Sequence, residues 1–171
     1  MAVESLPPDH LRAGVDYLAA LRKLGLDPEF LAWGRQRDTG DWMLVMVTSV
    51  LEMSGPLAFD ELLFRAYNLN ATPREISPFI VRVYGARTTL APLLKRFGEI
   101  DVSRATTQEV HRLTGKPDGP PIPIKSLGQD FADFHLETRY VYRLGPRRHA
   151  SHEQRTRQWI RFKHNVERLA A

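Results

Sequence analysis

Cysteine is absent from the 171 residues. That excludes a disulfide scaffold, a Cys-ligated zinc or iron–sulfur site, and a thiol nucleophile. Long apolar runs are absent too. The longest, Trp42 to Val47, has six residues, against the roughly 20 that a bilayer span needs. No phosphate loop and no glycine-rich dinucleotide fingerprint occurs, which weighs against a nucleotide-dependent enzyme. The start, Met1-Ala2-Val3-Glu4-Ser5, has neither a basic stretch nor an apolar core. The expected location is therefore cytoplasmic.

What is present reads as globular. Apolar residues make up 43% and charged residues 26%, enough to build a core. The net charge is +4, unevenly spread. Residues 139–171 hold nine Arg or Lys against two Glu, while residues 1–138 hold fifteen against eighteen Asp or Glu. An acidic body with a basic C-terminal fifth suggests a contact surface for phosphates, an acidic protein or an anionic membrane. An Arg-rich end that merely aids solubility is the plain alternative.

Local signals suggest a mixed chain. Asp9 can cap a helix to about Leu24, with Tyr17, Leu18, Leu21 and Leu24 on one face and Gly25 as its stop. Asp27-Pro28-Glu29 has the form of a cap, a first-turn proline and a first-turn acid, which predicts a short helix carrying Phe30, Leu31 and Trp33. Trp42 to Leu51 reads as a central strand covered on both faces. Phe59, Leu62, Leu63 and Ala66 predict a helix from Pro56 to about Asn68. Phe79, Val81 and Val83 alternate as a strand ended by Gly85. Leu90, Leu93, Leu94 and Phe97 mark a helix stopped by Gly98. Thr106-x-x-Glu109 has capping-box form and opens a short helix.

Residues 115–128 hold four of the twelve prolines and read as an extended surface segment. Phe134 to Leu144 alternates so regularly that one apolar and one charged face are expected. Ser151 can cap a final helix, with Glu153 and Gln154 in its first turn. The expected class is α+β, or a small three-layer α/β domain, with about three strands and five to six helices. The expected organisation is one globular domain over 1–145, with the basic helix of 146–171 docked on it.

The final helix carries the sharpest functional signal. Trp159, Phe162, Val166 and Leu169 share an arc of roughly 80°, and Arg157, Arg161, His164 and Arg168 an opposite arc of roughly 60°. Arg147 and Arg148 lie just upstream. Guanidinium forks match phosphate oxygens, so these six residues are the candidate nucleic-acid contacts. A merely solvated helix face is the competing explanation.

Other constellations are weaker. A helix-turn-helix over 57–84 would bring Thr72, Arg74 and Ser77 to base edges, but Pro78 interrupts its second helix. Asp130, Asp133, His135, Glu137 and Arg139 include two same-face groups, His135 and Glu137, suited to a metal or to acid–base work. No third ligand is evident, and a surface Glu137–Arg139 pair is the plainer explanation. His149-x-x-His152 lacks a supporting carboxylate motif. Ser103, Thr106 and Thr107 near His111 make no triad from proximity in sequence, and Ser103 and Thr106 suit helix caps. Pro120-x-x-Pro123 has the minimal spacing for an aromatic groove, and a rigid surface connection fits it equally.

These features favour a small nucleic-acid-binding regulator or accessory factor over an enzyme, with no catalytic residue, metal or cofactor assigned. A protein-interaction adaptor with an acidic partner is the alternative. An enzyme built around His135 and Glu137 is the third.

Overall fold

The computed structural model describes residues 5–101, 134–145 and 151–171. A five-stranded mixed sheet carries helices on both faces, so the class is α+β. Strand order is β3-β2-β1-β5-β4, with β1 (Phe30–Gln36), β2 (Trp42–Val47), β3 (Val81–Tyr84), β4 (Ile100–Asp101) and β5 (Phe134–Leu144). β1 runs antiparallel to β2 and β5, β4 antiparallel to β5, and β2 parallel to β3.

Two cores follow from the strand period of two. Leu31, Trp33, Leu44 and Met46 point to one face, against helices α1 (Pro8–Lys23), α3 (Pro56–Asn68) and α5 (His152–Leu169). Phe30, Ala32, Val45 and Val47 point to the other, against α4 (Ala86–Phe97). A one-turn helix, α2 (Leu51–Ser54), links β2 to α3.

Helix α1 lies close to the sheet. The Tyr142 hydroxyl donates to the Leu11 carbonyl at 2.7 Å, and Trp33 Nε1 to the His10 carbonyl at 3.1 Å. A Cβ on Gly14 would fall 2.3 Å from the Tyr142 ring, so this approach requires glycine.

Five strands and five helices among the described residues replace the expected three and five to six. The helix expected after Pro28 is the central strand β1. Phe30 to Gly34 are all buried, and a strand covered on both faces is a continuous apolar run without visible alternation. The strand expected over Trp42 to Leu51 ends at Val47, and Leu51 begins α2. The strand expected from Phe79 begins at Val81, because Pro78–Ile80 forms a 3-10 turn capped by the Ser77 side chain. That segment enters the sheet, so no helix-turn-helix exists there. Strand β4, only two residues long, leaves no period to detect. Asp9 sits in the first turn of α1, whose N-cap is Pro7.

Strand β5 breaks its own alternation. Ala32 pairs with Val141 and Gly34 with Leu136, so two steps on β1 span five on β5. Such a bulge turns the strand over. Phe134 and Leu136 therefore join the α4-side core, while Tyr140 and Tyr142 join the other. The single apolar face expected for this strand is divided between two cores. The helix expected at Thr106, the proline-rich segment 115–128, and Asp130, Asp133 and His149 lie outside the described residues.

Candidate functional site

The start of α5 is specified locally. Ser151 accepts from the Gln154 amide and the Gln154 side chain accepts from the Ser151 amide, a complete capping box. One face is then fixed to the body. Phe162 and Val166 are buried, and Phe162 and Trp159 meet Phe59 of α3 at ring separations of 5.8 and 6.4 Å. Gln158 donates to the Asp27 carbonyl at 3.3 Å and Asn165 to the Leu24 carbonyl at 2.9 Å. Arg155 pairs with Glu52 at 3.0 Å. Leu169, expected on the docked face, is 50% exposed near the helix end.

The opposite face holds the candidate contacts. Arg157, Arg161, His164 and Arg168 are all exposed. Arg157 pairs with Glu153 one turn earlier, a solvent-exposed contact of small energetic weight. Arg147 and Arg148 lie outside the described residues.

Beside the first half of α5 opens a cleft of about 510 Å³. The α1–β1 connection (Gly25, Leu26, Asp27, Glu29) forms one wall, with Arg22 from α1 and Arg143 from β5. Gln154, Arg157, Gln158 and Arg161 of α5 form the other. Arg22 is the framework of this wall. Its Nε meets Asp27 at 2.8 Å, and its two terminal nitrogens grip both Asp101 oxygens at 3.1 and 3.2 Å. Desolvation alone would lower the Arg22 pKa, but the Asp101 and Asp27 carboxylates hold it above the ordinary value. Arg143 reaches Asp27 at 3.5 Å, and its side chain is only 14% exposed.

Glu29, in the wall formed by the α1–β1 connection, is almost wholly buried. Its carboxylate accepts from the Ser49 amide at 3.0 Å and from the Ser49 hydroxyl, which ties β1 to the turn after β2. Burial pushes its pKa up, and the Ser49 hydrogen bonds only partly offset that. Gly25 lets α5 approach. Its φ is +92°, and a Cβ there would fall 2.7 Å from Arg161 Cγ and Cδ.

Comparison with family models, curated proteins and solved structures finds no match.

Of the six residues singled out in the sequence, two, Arg157 and Arg161, line the cleft, and His164 and Arg168 continue the exposed row. Arg22, Asp27, Glu29 and Arg143 carried no sequence signal as a site. Asp27 and Glu29 read there as helix-start residues, and Arg22 and Asp101 stand 79 positions apart. The His135–Glu137–Arg139 row stands apart from this cleft. Arg139 Nε contacts Glu137 at 2.6 Å and its guanidinium lies over the Tyr140 ring. Among the described residues no cluster of three or more His, Asp or Glu is arranged to hold a metal ion. No helix among them is long and apolar enough to cross a membrane.

Proposed function

We propose that this chain is a small nucleic-acid-binding regulator or accessory factor whose C-terminal helix contacts backbone phosphates. The observation that carries the reading is the division of α5. Phe162 and Val166 anchor it, while Arg161, His164 and Arg168 meet no hydrogen-bond or ion-pair partner among the described residues. From Arg157 to Arg168 the row covers about 16 Å of helix axis. Phosphates rise about 3.4 Å apart along each strand, so the row spans several of them. Arginine forks suit that geometry and add no base readout, so the binding is electrostatic and weakly sequence-selective.

The test is anisotropy of labelled duplex DNA and single-stranded RNA at two salt concentrations. Wild type binds and weakens steeply with salt. The triple variant R157A/R161A/R168A loses binding while keeping its circular dichroism. Normal binding by that variant removes the row from the account.

One observation favours a second reading, an adaptor with an acidic protein partner. Ile160, beside the arginines, is 60% exposed, and Leu57 at the start of α3 is 73% exposed. Apolar groups amid basic ones suit a protein surface. Nuclease-resistant, stoichiometric recovery of one protein would support the adaptor instead.

A further inference from the structure

The geometry points to a second capacity, which shares Arg157 and Arg161 with the exposed row: the cleft between α5 and the α1–β1 connection binds a single phosphoryl group carried by a molecule of mononucleotide size. The volume, about 510 Å³, falls within the range of small-ligand sites, roughly 300–1,000 Å³. The cations around it are unequal. Arg22 is saturated by Asp27 and Asp101 and acts as scaffold. Arg143 is not saturated. Its side chain is largely buried, and its one ion-pair contact among the described residues is a long 3.5 Å to Asp27. A guanidinium with so long an ion-pair contact keeps donor capacity for a further acceptor. Arg161 faces the same space from α5, held against Gly25 and without an ionic partner among the described residues.

Two forks from different elements converging on one cleft match the three oxygens of a phosphoryl group better than a single carboxylate. Gln154 and Gln158 add amide groups on the α5 wall. Asp27 on the opposite wall, 44% exposed, offers an acceptor for a hydroxyl or amino donor on the rest of the ligand. This capacity goes beyond backbone binding by the exposed row, because it needs no polymer.

The experiment is calorimetric titration of the full chain with adenosine monophosphate and with inorganic phosphate. A second arm compares a terminally phosphorylated oligonucleotide with its hydroxyl-ended twin. Saturable binding of the mononucleotide is expected, weakened about tenfold or more in R161Q and in R143Q. R65Q, an equal charge loss on α3, leaves it unchanged. Preference for the phosphorylated end identifies a strand terminus as the source, and equal binding of the two ends identifies a free phosphorylated molecule. Either result supports the site. R161Q removes only an exposed head group, so it decides the matter even where R143Q does not fold. No saturable binding of either probe up to ~10 mM, well beyond a millimolar dissociation constant, overturns the proposal. So does binding indifferent to R161Q. Because the mononucleotide arm involves no oligonucleotide, its failure is distinct from failure of the exposed row.

Discussion

The two faces of α5 use the same kinds of residue for different ends. On the docked face, polar side chains have partners inside the fold: Gln158 and Asn165 on carbonyls of the α1–β1 connection, Arg155 on Glu52. On the outer face, Arg161, His164 and Arg168 have none among the described residues. Charge that closes within the fold is spent on positioning. Charge left open, on a helix held from behind, is what the proposed phosphate contact would use.

The largest effect should come from the docked face. Phe162→Ala removes a fully buried ring from the cluster with Phe59 and Trp159. A destabilisation of about 3–5 kcal/mol is expected from the lost transfer energy and the cavity left behind. Urea denaturation would measure it. A cost below about 1 kcal/mol would mean that α5 is not anchored as described.

Gly25→Ala tests how closely α5 must approach. The residue would have to keep a left-handed φ while displacing the Arg161 stem. A loss of about 1–3 kcal/mol is expected, with Arg161 pushed from the cleft. Thermal unfolding reads the first effect and titration of the cleft the second.

Glu29 sharpens the contrast between buried and exposed charge. Its folded pKa lies above the ordinary glutamate range. The folded state therefore holds this proton more tightly than the unfolded chain does. Glu29 contributes stability at acid pH, and that contribution is lost as pH rises from the unfolded value through the raised folded one. Glu29→Gln should flatten this part of the stability–pH curve while leaving the exposed arginine row untouched. Denaturation at several pH values checks it, and an unchanged slope would contradict the burial described.

Much of this architecture is legible where its causes are local. Helix α3 runs from Pro56 to Asn68 as its apolar spacing and leading proline predict. The Ser151 cap and the Gly98 stop, with φ +72°, are equally local. The central strand β1 is not legible. Its identity depends on burial between two neighbours, and Asp27-Pro28-Glu29 mimics a helix start. The overturning of β5 depends on its register against β1, which a one-strand pattern does not contain. The exposed row follows from helical periodicity alone, whereas the cleft does not. Arg22, Asp27, Asp101 and Arg143 meet only once the sheet has formed.

The most direct test of the outer face is the salt dependence of duplex DNA binding in wild type and in R157A/R161A/R168A. Each neutralised phosphate contributes about 0.9 to the slope of log K against log salt. A steep slope is expected in wild type, reduced by about 2.7 in the triple variant if each arginine meets one phosphate. Equal slopes in the two proteins, or no binding by wild type at low salt, would contradict it.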